Sequence, residues 1–447
     1  MRHTLPLLTL LFTATAGFAQ NNSKLYNNAL EYFRSCKPNH AAALPKSLTK
    51  QKGDATVIWE AWKTVVAERN SGNKLPQQTT LSEESKYSWA VPDSLEPNAT
   101  LNFRYGTKGD CANRRVPLFI YLHGSGPRQQ EWQTGLVICS RFDDAPSAYF
   151  IPQIPQEGQW YRWYQKSKQW FLESAILQAF ASEQVDPQRV YIFGISEGGY
   201  GSQRLASYYA DYLAAAGPMA GGEPLKNAPV ENCGNIGFSF LTGAQDRGFY
   251  RNMLTQITKD AFDSIQTIHP NEYKHRIKLL EGYGHGIDYS LTTPWLKEFK
   301  RNPCPTHFIW EDFEVDGLHR SGFYNIAVNS RPDPELRTRY EFSAKDNVIR
   351  LTVQDVHYTC TKKDPNWGIE LTFSRNYTQS KTGNITIFLN QDLADISKPV
   401  TIYINDKQVY KAKPKASAGA MMQSLATFGD PLRIFPVAIN LQVPATE

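Results

Sequence analysis

The stretch Val190-Tyr191-Ile192-Phe193-Gly194-Ile195-Ser196-Glu197-Gly198-Gly199-Tyr200 runs from an apolar, β-favouring segment through a Gly-rich turn into a helix-length segment that continues to Tyr209. It contains a G-x-S-x-G, with Ser196 at its centre. A serine on a sharp strand-to-helix turn is held in strained backbone angles, and glycines on both sides let the chain close because they carry no Cβ to clash. Such a turn presents the hydroxyl above a sheet edge, where helix N-terminal amides favour developing negative charge. Ser196 is therefore the candidate nucleophile.

Apolar strands and helix-length segments alternate on either side of this turn. Val116 to Leu122 reads as a fully buried strand of the parallel type, and Phe150 to Ile154 as another. Trp170 to Glu183 reads as a helix, Leu213 to Met219 and Phe238 to Thr242 as strands, and Tyr250 to Ile268 as a helix. The strand Arg276 to Glu281 and a last helix, Thr293 to Lys300, complete the series. This alternation predicts a doubly wound, mostly parallel α/β sheet. Upstream, Tyr26 to Arg34 and Thr56 to Arg69 read as helices of an N-terminal elaboration spanning 20–95. The catalytic unit is expected over 96–304. Past Pro303-Cys304-Pro305, short alternating segments such as Val348 to Val353, Ile369 to Phe373, Ile385 to Leu389 and Val400 to Ile404 have the texture of an all-β module over 305–447.

The loops at the strand ends carry the chemistry. His123-Gly124-Ser125-Gly126 directly follows the buried strand. The Gly124 and Ser125 amides there, with the Glu197 amide after the serine, are candidate donors to an oxyanion, and His123 reads as a residue that holds the loop. Glu281-Gly282-Tyr283-Gly284-His285-Gly286 follows the last strand. A histidine freed by flanking glycines suits a general base, since its ordinary pKa lies near neutrality. Asp246, after the strand that ends near Thr242, keeps the chain order Ser, Asp, His and would orient the imidazole. Trp160, Arg162 and Trp163 are candidate substrate contacts from a loop at the sheet's carboxyl edge, with aromatics buried beneath a helix as the competing reading. Tyr200, Gln203 and Arg204 read as packing residues. Trp367 is the β module's candidate exposed aromatic, with burial as its alternative.

Taken together, Gly194 to Gly199, His123 to Gly126, Asp246 and Gly284-His285 resemble the polyhydroxybutyrate-depolymerase and feruloyl-esterase-like branch of the α/β-hydrolases, over about residues 100 to 300. The resemblance implies hydrolysis of carboxylic esters, including feruloyl or acetyl groups on polysaccharides, without metal or cofactor. Glu197 departs from the small or amide residue that relatives often carry after the nucleophile. Two other readings stand beside this one. A peptidase of the prolyl-oligopeptidase type shares the chain order, although the segment before Val116 is too short for the propeller such enzymes usually carry. In a non-catalytic glycan-binding protein, the hydrolase core would be scaffold.

Met1 to Ala19, with Arg2, the apolar run Leu5 to Phe12 and small residues before the expected cleavage site, reads as a signal peptide and predicts a secreted or periplasmic protein. No later stretch approaches the ~20 apolar residues of a spanning helix, so no membrane insertion is expected. The net charge of +5 is dispersed over 48 basic and 43 acidic residues, which gives no footprint for nucleic acid. The six cysteines lack zinc-site spacing; export permits disulfides, and one or two bridges or free buried thiols are the alternatives.

Overall fold

The computed structural model describes residues 22–37, 40–112, 114–380 and 383–444. The expected signal peptide lies outside the described residues. The chain opens with helix α1 (residues 22–35) and helix α2 (Ala55–Arg69). The Asp54 side chain caps α2 by accepting from the Thr56 and Val57 amides. Ile58, Trp59, Ala61, Trp62, Val65 and Val66 are buried, an i, i+3, i+4, i+7 stripe that seats α2 on the rest of the molecule.

The central sheet has eight strands: β1 (Lys86–Ala90), β2 (Thr100–Lys108), β3 (Val116–Leu122), β4 (Ser147–Pro152), β5 (Val185–Ile195), β6 (Ala215–Met219), β7 (Gly237–Gly243) and β8 (His275–Leu280). Their spatial order is β1-β2-β4-β3-β5-β6-β7-β8, with β1, β2 and β4 paired antiparallel and the remaining pairs parallel. Helices α3 (Arg128–Arg141), α4 (Lys166–Ser182), α5 (Glu197–Tyr209), α6 (Arg251–Ile268) and α7 (Thr292–Leu296) cover it. Alternate strand residues face opposite layers, as the two-residue period of a strand requires. Leu118, Ile120 and Leu122 join the core under α4, α5 and α6, whereas Phe119 and Tyr121 join Trp132 and Leu136 of α3 and Leu296 of α7. The last helix is shorter than the Thr293 to Lys300 expectation. From β3 the chain passes to β4 on one side and then to β5 on the other, so a crevice opens above the carboxyl ends of β3 and β5.

Downstream lie β9 (His307–Asp312), β10 (Gly322–Phe323), β11 (Ile326–Ser330), β12 (Arg337–Lys345), β13 (Val348–Lys363), β14 (Glu370–Gln379), β15 (Asn384–Leu389), β16 (Val400–Ile404) and β17 (Lys407–Ala412), then helix α8 (Ala418–Phe428) and β18 (Val437–Gln442). They form a six-stranded and a four-stranded sheet. Trp310 of β9 stacks on Phe323 of β10 at 5.3 Å, joining the two. The expectation of an all-β module is corrected by α8, eleven residues capped by the Ser417 side chain and buried along most of its length. This helix packs against α2 and β18. A buried ionic cluster ties the module to the central sheet's helices: Asp211 pairs with Arg320 at 3.1 Å and Arg433 at 2.6 Å, and Asp430 pairs with Arg301 at 2.6 Å and Arg433 at 2.7 Å. Of the two alternatives for the cysteines the structure has free thiols: all six are unpaired, and Cys36, Cys139, Cys233 and Cys304 are buried. No helix among the described residues is long and apolar enough to cross a membrane.

Candidate active site

Ser196 sits between β5 and α5 with φ 56° and ψ −114°, a backbone region that L-residues rarely adopt. Close approach on both sides explains the glycines. A Cβ on Gly198 would lie 1.9 Å from the Leu122 carbonyl oxygen, one on Gly194 2.4 Å from the Gly198 oxygen, and one on Gly199 2.3 Å from the Met219 oxygen. The start of α5 is thus pressed onto the ends of β3 and β6. The Ser196 amide donates to the Met219 carbonyl at 3.0 Å, fixing the turn to the sheet.

His285 reaches this turn from the loop after β8. That loop lies against the end of β7, where the Gln245 amide donates to the Tyr283 carbonyl at 2.9 Å and a Cβ on Gly243 would meet the Gly284 oxygen at 2.0 Å. His285 Nε2 is 3.0 Å from Ser196 Oγ, and its Nδ1 is 2.7 Å from Asp246 Oδ2. A carboxylate only accepts, so Nδ1 carries the proton and Nε2 is left free to accept from the serine hydroxyl. Asp246 is 4% exposed, and Arg251 Nη1 donates to its other oxygen at 3.0 Å. Both carboxylate oxygens are therefore engaged and the orientation of the group is fixed.

The loop after β3 is held from beneath. His123 is fully buried, accepts from the Ile154 amide through Nε2 at 3.1 Å, and donates through Nδ1 to the Gly124 carbonyl at 2.7 Å. Burial pushes its pKa down to about 4, so the ring is neutral and serves as a strut. Tyr161 Oη also donates to the Gly124 carbonyl, at 3.0 Å. A trans peptide carries its N–H opposite its C=O, so the Ser125 amide is turned away from these two donors. Gly124 lies close to the nucleophile: a Cβ there would be 3.5 Å from Ser196 Cβ. The Glu197 amide is the first of α5, a position with no intrahelical acceptor.

A cavity of about 600 Å³ opens beside Ser196, lined among others by Ser125, Arg162, Glu197, Tyr200 and Trp367. Glu197 is 12% exposed and lies 3.4 Å from Arg162. Burial pushes its carboxyl up to about 7, against the pull of Arg162. Of the three substrate contacts expected from the 160–164 loop, Arg162 alone lines this cavity. Trp163 is a correction: it is wholly buried, donates through Nε1 to the His123 carbonyl at 2.9 Å, and packs so closely on α5 that a Cβ on Gly201 would meet its Cβ at 2.4 Å. Trp160 lies outside the lining of this cavity, and its ring faces the Lys168 ammonium at 5.8 Å. Tyr200 and Arg204, read as packing residues, do line the cavity. Arg251 and the module's Lys363 and Trp367 are further lining residues that local sequence pattern did not single out as part of the site.

No protein-family model and no curated protein sequence matches the chain. Among solved structures, it is similar to a thermostable esterase at 21% identity and a TM-score of 0.39, the match covering 48% of this chain and 62% of that one. It is similar also to a ferulic acid esterase from Anaeromyces mucronatus, at 14% identity and 0.34, covering 50% of this chain and 94% of that one. A thermophilic esterase from Thermogutta terrifontis matches at 12% identity and 0.35, covering 48% and 91%.

Proposed function

We propose that the chain is a serine hydrolase that cleaves carboxylic esters through an acyl-enzyme, acting outside the cytoplasm on feruloyl or acetyl groups of polysaccharides. The observation that carries this reading is the continuous hydrogen-bonded series from Asp246 through His285 to Ser196, at 2.7 and 3.0 Å. In the proposed reaction, Ser196 Oγ attacks the ester carbonyl while its proton passes to His285 Nε2. Asp246 stabilises the resulting imidazolium without taking the proton. The negative charge on the carbonyl oxygen is received by backbone amides of the 124–125 loop and of Glu197, each such donor typically lowering the barrier by about 2.7 to 4 kcal/mol. His285 then gives its proton to the departing alkoxide, leaving the acyl group on Ser196. A water, deprotonated in the same way, attacks that acyl group, and collapse returns the carboxylic acid and the free serine. No step calls for a metal or cofactor.

The test is a panel of p-nitrophenyl esters, methyl ferulate, acetylated xylan and aminoacyl-p-nitroanilides, run with the wild type and with Ser196→Ala. Turnover of esters that the substitution abolishes is the expected result. Ser196-dependent turnover of the anilides alone would replace the ester reading with a peptidase, and no Ser196-dependent turnover of any member would reject hydrolysis at this site.

A further inference from the structure

The β13–β14 hairpin carries part of the C-terminal module to the candidate active site: Lys363 and Trp367 line the same cavity as Ser196. Two turns are latched there. Tyr250, just after the Asp246 loop, donates its hydroxyl to Asp364 Oδ1 at 2.6 Å. The other oxygen of Asp364 accepts from the backbone amides of Asn366, at 3.1 Å, and Trp367, so one carboxylate both shapes the hairpin tip and anchors it. Opposite it, Phe249 and Tyr250 hold φ of 50° and 61°, uncommon for aromatic residues, and this brings the Phe249 ring to 5.0 Å from the Trp367 indole.

Both rings nevertheless stay open to solvent, Trp367 at 58% and Phe249 at 47%. A single exposed aromatic needs no explanation, but a latched pair at the mouth of a cavity has the form of a ligand site. The deeper wall is polar. Arg204 binds Glu223 through two hydrogen bonds of 3.0 and 2.7 Å, Asn227 donates to Glu223 at 2.9 Å, and Tyr200 and Arg251 line the same wall. A purely apolar ligand would desolvate these groups without replacing their hydrogen bonds, at about 1 to 3 kcal/mol for each group left unsatisfied. A pyranose fits both surfaces: its C–H face meets the electron-rich face of an indole, and its hydroxyl edge meets the charged and amide groups.

We propose that Trp367 and Phe249 form a platform for a sugar ring at the mouth of the Ser196 cavity, so that the C-terminal module supplies the carbohydrate-recognising side of the site. The proposal builds on the ester-hydrolase reading, with the sugar as the alcohol part of the ester, but its test needs no turnover. Ser196→Ala protein is titrated calorimetrically with xylohexaose, cellohexaose and mannohexaose, each to about 10 mM, a range that detects binding down to millimolar Kd. Binding of at least one sugar is expected, weakened about tenfold or more by adding Trp367→Ala and closer to the parent with Trp367→Phe, which keeps a ring. Phe249→Ala, on the other side of the platform, provides a second reading should the tryptophan variant fold poorly. Binding of none of the three sugars, or affinities that neither substitution moves by more than about twofold, would overturn the platform. Ferulate binding that depends on Trp367, without sugar binding, would assign the rings to the acyl group instead and overturn the sugar assignment. Absence of ester turnover in the wild type would reject the hydrolase reading alone.

Discussion

Replacing Glu197 by Gln tests whether a titrating carboxyl is buried beside the nucleophile. Glu197 is 12% exposed, and its pKa is raised from 4.5 to about 7, chiefly by burial. Between those two values the folded chain keeps a proton that the unfolded chain has released, so stability falls as pH rises from about 4.5 and the loss is complete above about 7. At about 1.36 kcal/mol per pKa unit, ionising Glu197 costs the fold roughly 3 kcal/mol at alkaline pH, of which less than 1 kcal/mol has accrued at about pH 5. Gln is nearly isosteric with the neutral acid and carries no such penalty. Urea unfolding of wild type and Glu197→Gln, followed by tryptophan fluorescence at pH 5 and pH 8, isolates this group because every other titration cancels in the difference. The variant should gain about 2 to 3 kcal/mol on the wild type between the two pH values. A difference that is the same at both would refute the argument, meaning that Arg162 and solvent keep the carboxylate charged throughout.

Three other predictions follow from the geometry. Asp246→Asn should lower kcat on p-nitrophenyl acetate by about 10⁴, because the amide leaves His285 in the wrong tautomer; near-normal turnover would remove Asp246 from the proposed mechanism. Gly198→Ala forces a Cβ to within 1.9 Å of the Leu122 carbonyl oxygen, so the variant should be destabilised by about 4 kcal/mol or more, read as a fall in Tm or in soluble yield. Asp211→Asn takes from buried Arg320 its carboxylate partner at 3.1 Å and from Arg433 one of its two, leaving Asp430 at 2.7 Å, and should cost about 3 to 5 kcal/mol, measured by urea unfolding.

The features legible in the sequence are those whose signal is local. Fully apolar runs such as Val116 to Leu122 mark buried parallel strands, and the glycines around Ser196 and His285 mark places where backbone meets backbone. Along the irregular 160–164 loop no periodicity says which side chain turns inward, and there Arg162 faces the cavity while Trp163 supports the His123 loop. No local pattern marks Arg251, because its contact with Asp246 depends on how α6 begins, with Phe249 and Tyr250 in left-handed conformations that nothing in those residue types demands. Helix α8 carries a local signal, the cap Ser417 followed by Ala, Met and Leu, but a single helix-length run among β-textured segments does not set the class of the module. The placement of Trp367 beside Ser196 joins positions 171 residues apart in sequence and depends on the packing of the module as a whole.

Whether Ser196 carries the acyl group is decided by intact-protein and peptide mass spectrometry after reaction with a fluorophosphonate. A single adduct per chain is expected, on the peptide containing Ser196, formed in step with loss of ester turnover and absent from Ser196→Ala. An adduct on a different residue, or ester turnover that survives Ser196→Ala at the wild-type rate, would contradict that role.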